Sequence, residues 1–162
     1  MDREILIRAR GALERVTPMN PDCGLYCGAA CCRPDDEGKG GVILFPGEEA
    51  LIDPAIAVSD VTYGSWRVKV ADCAGSCRRE GRPLGCMIFP LTPEFDPSGE
   101  LVVRFDVRAR PVCPLLRNGL MGLRRDFRAA VHEALSMIAS DPEGITFLEA
   151  WQALEKEYMF SL

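Results

Sequence analysis

Pro21-Asp22-Cys23-Gly24-Leu25-Tyr26-Cys27-Gly28-Ala29-Ala30-Cys31-Cys32-Arg33 decides how this chain is read, because it gathers four of the eight cysteines into one short, glycine-containing run. A spacing of four residues predicts a helical segment with Cys23, Cys27 and Cys31 on one side, where three thiolates would face one site. On that geometry Cys32 points elsewhere. Adjacent cysteines are awkward ligands for a single ion, so the Cys31-Cys32 pair suggests either two neighbouring sites or one ligand beside a spare thiol. The three-residue gaps differ from the CxxC spacing of zinc fingers and ribbons.

Outward from this run lie Cys73-x3-Cys77-x8-Cys86, and Cys113-Pro114 closes the set. Cysteines delivered by distant segments suit closed tetrahedral thiolate sites, since one loop cannot wrap zinc alone. A four-cysteine iron–sulfur cluster has the same requirement, and proline after a ligand cysteine also occurs in ferredoxins. The candidate metal ligands are therefore Cys23, Cys27, Cys31, Cys32, Cys73, Cys77, Cys86 and Cys113.

The rest of the composition bounds that reading. With 162 residues and 48% hydrophobic content, the chain can bury one ordinary core, so a single domain over 1–162 is expected. Charges interrupt Met1-Asp2-Arg3-Glu4-Ile5-Leu6-Ile7-Arg8 where a secretory signal needs an apolar stretch. The expected location is the cytoplasm, where a reducing environment turns an even cysteine count from disulfides toward metal or redox chemistry. No apolar run is long enough for a membrane span. A formal charge of −5 argues against a nucleic-acid partner. Residues 67–128 nevertheless hold twelve Arg/Lys against seven Asp/Glu. Arg78, Arg79, Arg82 and Arg117 stand near cysteines in sequence, either offsetting thiolate charge or forming a solvated surface.

The expected fold class is α+β, a small cysteine-rich metal-binding core with short strands and loops, flanked by N- and C-terminal helices. Ile5, Ala9, Leu13 and Val16 mark a first amphipathic helix, ended by Thr17-Pro18-Met19-Asn20-Pro21. Val42-Ile43-Leu44-Phe45 reads as a buried strand, and Pro46-Gly47-Glu48-Glu49-Ala50 as the start of a short helix. Trp66-Arg67-Val68-Lys69-Val70 alternates as a half-buried strand does, and Leu101–Val107 gives another. Both lead toward cysteines, within a cysteine-rich region at 21–114. A helical C-terminal part spans 118–160. Asn118 caps a helix whose stripe runs through Leu120, Leu123, Phe127, Val131, Leu135 and Ile138. Asp141-Pro142 breaks it, and a capping box at Thr146-Phe147-Leu148-Glu149 opens a last helix with Leu148, Trp151, Leu154 and Tyr158 facing the core.

Three ordered segments resemble a known family. Cys23 to Cys32, then Ile43-Leu44-Phe45-Pro46-Gly47-Glu48-Glu49-Ala50, then Arg82-Pro83-Leu84-Gly85-Cys86-Met87-Ile88-Phe89-Pro90 are similar to the bacterial CxxCxxCC proteins, the YkgJ-like zinc- or iron-chelating domains. The likeness covers roughly Pro21 to Pro114. It departs in the three-residue gaps and at Met87, where the family commonly has Arg. The resemblance implies metal ligation by Cys23, Cys27, Cys31, Cys32 and Cys86, with Cys73, Cys77 and Cys113 completing the set, and implies no particular reaction. Some larger relatives methylate flagellin lysines, which keeps an enzyme reading open.

Other candidates carry less. His132, the sole histidine, adjoins core-facing Val131 and reads as a solvated helix residue. GxGxxG, P-loop, HExxH and GxSxG motifs are absent. Asp35-Asp36-Glu37 lacks the spacing of a calcium loop. Arg124, Arg125 and Arg128 form a solvent face or a receiver for an acidic partner protein. The expectation is thus a metal-binding protein holding zinc, or next an iron–sulfur cluster, through cysteine thiolates. The alternatives are an enzyme or enzyme subunit using such a cluster, and a metal-free thiol redox protein.

Overall fold

A computed structural model describes residues 1–33, 40–72, 75 and 77–160, the side chains of 158–160 excepted. The element order is α1 (Arg3–Leu13), α2 (Cys23–Cys27), β1 (Gly41–Ile43), β2 (Ala57–Tyr63), β3 (Trp66–Asp72), α3 (Leu84–Ile88), β4 (Leu91–Phe95), β5 (Leu101–Phe105), α4 (Arg125–Ile138) and α5 (Pro142–Phe160), with short 3-10 turns between. This is the expected α+β mixture with helices at both ends.

Asp2 starts α1 by accepting from the Glu4 N–H at 2.8 Å, the usual relief for an unpaired first-turn donor. Leu6, Ala9 and Leu13 bury its apolar face against α4. There Phe127, Val131, Leu135 and Ile138 are fully enclosed. Two antiparallel sheets complete the fold. In the first, β3 lies between β1 and β2, with Ile43 opposite Val70 and Tyr63 opposite Trp66. The β2–β3 turn places Gly64 at φ 59°, a left-handed angle that tight hairpins reserve for glycine. The second sheet is the β4–β5 hairpin, running from Leu91 opposite Phe105 to Phe95 opposite Leu101.

Helix α5 joins the layers. Phe147 and Trp151 pack with Phe45 at ring-centroid distances of 4.9 and 5.5 Å, and Trp66 meets Phe147 at 5.4 Å. Rings at such separations add to the burial of large apolar area. On the far side of Trp151 sits α3. A Cβ on Gly85 would lie 2.6 Å from Val42 Cγ2 and 3.3 Å from Trp151 Cη2. Glycine at 85 therefore lets the helix carrying Cys86 dock directly on β1 and α5. Gly85→Ala is expected to destabilise the fold by roughly 1–3 kcal/mol through overpacking, read as a lower urea midpoint with an unchanged slope. A wild-type midpoint would show that α3 moves freely at this contact.

Two expectations change here. Asn118 does not cap α4: residues 114–122 form a 3-10 segment kinked at Gly119 (φ 58°, ψ −165°), and α4 begins at Arg125. The break at Asp141-Pro142 holds, since α4 ends at Ile138, and Pro142 itself opens α5, because its missing N–H falls where a helix has no acceptor. Asp141 Oδ1 takes the Glu143 and Gly144 N–H groups there, so the helix starts before Thr146. The Thr146 hydroxyl instead donates to the Pro142 carbonyl inside that helix. Tyr158's side chain lies outside the described residues, and Leu154 packs against the core only partly buried.

Candidate metal centre

Asp22 opens α2 by accepting from the Gly24 N–H at 2.8 Å. Cys23 and Cys27, first and last residues of that single turn, share a side, and the Cys27 thiol donates to the Cys23 carbonyl at 3.4 Å. The helix does not continue to Cys31. Gly28 (φ 61°) and Ala29 (φ 54°) are both left-handed and reverse the chain into a 3-10 turn over Ala30–Cys32. Non-glycine residues rarely adopt such an angle, so sequence spacing gives no hint of the break at Ala29. Cys32 does not point away from Cys31 either: the two sulfurs stand 4.0 Å apart.

The other cysteines arrive on separate supports. Cys77 precedes the 3-10 turn Arg79–Gly81, Cys86 lies inside α3, and Cys113 directly precedes the Pro114 segment. A cavity of about 260 Å³ is lined by Cys23, Cys27, Cys31, Cys32, Cys77, Cys86 and Cys113. Cys73 and the Asp35-Asp36-Glu37 run lie outside the described residues. His132 is exposed on α4, where the Ser136 hydroxyl donates to its carbonyl at 2.8 Å, and it does not line the cavity.

Electrostatics distinguish the thiols. Burial pushes the Cys23 thiol up to about 11, reinforced by Asp22, Cys27 and Cys113 and opposed by Arg82. Burial also raises Cys113. Between the adjacent pair, the hydrogen bond shared by the two thiols raises Cys31 and holds Cys32 down at about 6, with Arg82 assisting. The Arg82 guanidinium hydrogen-bonds Cys77 and feels Cys32 and Cys86 as well, which together outweigh the burial that opposes its charge. Two neighbourhoods result. Cys23 and Cys27 bear on Cys31 and on Cys113; Cys32, Cys77 and Cys86 bear on Arg82; and the Cys31–Cys32 contact joins the two.

Sequence reasoning placed Arg82 near the cysteines but missed the rest of the wall. Asp106, Arg108 and Trp151 also line the cavity. Asp106 is 3% exposed and grips Arg108 twice, Nε to Oδ1 at 2.9 Å and Nη2 to Oδ2 at 2.6 Å. That guanidinium lies 5.5 Å over the Trp151 ring. Buried Glu155 anchors the assembly, accepting from Thr92 at 2.7 Å, Trp151 Nε1 at 3.0 Å and Arg104 Nη2 at 2.9 Å. The signal was present as Asp-x-Arg at a strand end, where Asp106 caps the following 3-10 turn through the Arg108 N–H.

Among the described residues, no three Cys, His, Asp or Glu side chains stand close enough together to form a ready metal cluster. The donors nevertheless suit a soft ion: the ligating atoms around the cavity are almost all sulfur. Comparison with protein-family models, curated proteins and solved structures gives no match. Among the described residues, no helix is long and apolar enough to cross a membrane.

Proposed function

We propose that this chain is a metal-binding protein that chelates zinc, or alternatively an iron–sulfur cluster, through cysteine thiolates, in the manner its resemblance to the CxxCxxCC proteins implies. One observation carries the reading: seven cysteines from four separated stretches of chain line a single cavity. Hydrophobic burial alone scatters thiols through a core and gives no reason for this convergence. The raised thiols Cys23 and Cys113 hold their protons near neutral pH, and a thiophilic cation displaces such protons on binding. Cys23, Cys27, Cys31 and Cys113 would draw together to supply one four-sulfur set, since no three of them are clustered as they stand. Cys32, Cys77 and Cys86 around Arg82 form the start of a second, with the guanidinium offsetting thiolate charge. Zinc is preferred because four thiolates suffice for it.

The test is elemental analysis with an absorption spectrum on anaerobically purified protein. A colourless protein containing zinc is the expected result; visible charge-transfer bands with iron and sulfide identify a cluster. Cys27→Ser and Cys86→Ser should each lower metal content, since a hydroxyl is a poor replacement for thiolate, while His132→Ala should leave it unchanged. Free reaction of all eight thiols in native protein without metal would end this reading and leave the thiol redox alternative in front.

A further inference from the structure

Backbone and side-chain hydrogen bonds frame the turn that carries Cys31 and Cys32. Left-handed Gly28 and Ala29 reverse the chain, the Cys32 N–H donates to the Ala29 carbonyl at 2.8 Å, and the Arg33 N–H donates to the Ala30 carbonyl at 3.2 Å. Arg33 Nη2 reaches back to the Gly28 carbonyl at 3.1 Å. Within this frame the two sulfurs face each other at 4.0 Å. Cys31 is exposed, whereas the other described cysteines are partly covered. Cys31 is thus the described thiol of the cavity most open to solvent.

A gap of 4.0 Å is about twice a sulfur–sulfur bond. A disulfide between neighbouring residues also closes an eight-membered ring around a peptide unit that resists leaving planarity. Insertion of one bridging atom enlarges the ring and spans the gap with less distortion. The bridging species must be compact, thiophilic and able to bind two thiols at once.

We infer that Cys31 and Cys32 form a vicinal dithiol site for trivalent arsenicals and chemically similar thiophilic metalloids, which needs only these two sulfurs and competes for them with a metal held by the wider cysteine set. For a monosubstituted arsenic oxide, each sulfur forms a bond to arsenic while the arsenic–oxygen double bond is replaced. The two thiol protons leave with that oxygen as one water. Arsenic stays trivalent, so no oxidant or reductant takes part. Cys23 and Cys27, whose charges bear on the Cys31 thiol and which line the same cavity, are the candidates to supply a third thiol to arsenite itself.

The experiment uses the full-length, reduced, metal-free protein and phenylarsine oxide, followed by intact mass and by titration. One phenylarsenic per chain is expected, reversed by 1,2-ethanedithiol. Cys31→Ser and Cys32→Ser should each weaken apparent affinity roughly 100-fold, the advantage of a second thiol held at high effective concentration. Cys27→Ser and Cys113→Ser should retain the adduct. Circular dichroism of each variant separates loss of the site from loss of fold, and Cys31, being exposed, is the variant expected to fold as wild type. Absence of an adduct in wild type, or a tight adduct surviving in folded Cys31→Ser, overturns the proposal. Metal reading and dithiol reading fail separately, because the adduct is scored without zinc and metal content without arsenic.

Discussion

Glu48→Ala is expected to lower stability by about 3–5 kcal/mol, a large part of the 5–15 kcal/mol that holds an ordinary domain folded. Glu48 has no exposed surface. Its Oε1 accepts from Arg10 Nη1 of α1 at 2.7 Å and from the Leu84 N–H at the start of α3; its Oε2 accepts from the Phe45 N–H at 3.0 Å. Burial disfavours the carboxylate charge, while those backbone donors and Arg10 favour it. Truncation strands a guanidinium that is 9% exposed and two backbone donors, and an unpaired buried charge costs more than the pair ever contributed. Arg10 keeps the Glu80 carbonyl at 3.1 Å, which offsets part of the loss. Urea unfolding measures the effect. A variant within about 1 kcal/mol of wild type would mean that water reaches this junction and replaces the carboxylate.

That junction shows where sequence and structure part. Pro46-Gly47-Glu48-Glu49 reads as a helix start with acids facing the N-terminus, and a 3-10 turn does form at Glu48–Ala50. Its function as a buried acceptor for α1 and α3 is a tertiary fact that no local pattern encodes. Where a period is long and one face is buried, the pattern was legible: the alternation of β3 survives in the structure, as does the stripe from Phe127 to Ile138. Where an element lacks that alternation or carries a breaker, it was not. Strand β2 is mostly solvent-facing on both sides and so has no apolar alternation. Strand β4 contains Pro93, a residue that argues against a central strand but is tolerated in a two-stranded hairpin.

The candidate site divides in the same way. The identity of the cysteines as a set could be read from the sequence, because residue type alone marks thiol chemistry. Their grouping could not: it depends on the left-handed step at Gly28-Ala29, which ends the expected continuous helix at Cys27 and sets Cys31 and Cys32 together in a separate 3-10 turn. The Asp106, Arg108 and Trp151 wall depends on how α5 lies across the β4–β5 hairpin. Gln152 secures that crossing, accepting from the Phe95 N–H and donating to the Phe95 carbonyl, each at 3.1 Å.

Trp151→Ala should have an effect comparable to loss of Glu48, about 3–5 kcal/mol, and should also change the thiol cavity. The indole is 2% exposed, packs on Phe45 and Phe147, lies beneath Arg108 and abuts the space at Gly85. Its removal leaves a void between the aromatic core and the cavity wall, and takes a donor from buried Glu155. Trp151→Phe separates these contributions. Phenylalanine keeps most of the apolar contact but cannot donate, so a loss nearer 1.5–3 kcal/mol is expected, the usual value of a hydrogen bond to a charged group. Because Trp151 and Cys86 line the same cavity, the alanine variant should also alkylate faster at Cys86 under conditions where the protein remains folded, with exposed Cys31 little changed. Equal alkylation of Cys86 in wild type and folded Trp151→Ala would show that the indole supports the core without closing the thiol cavity.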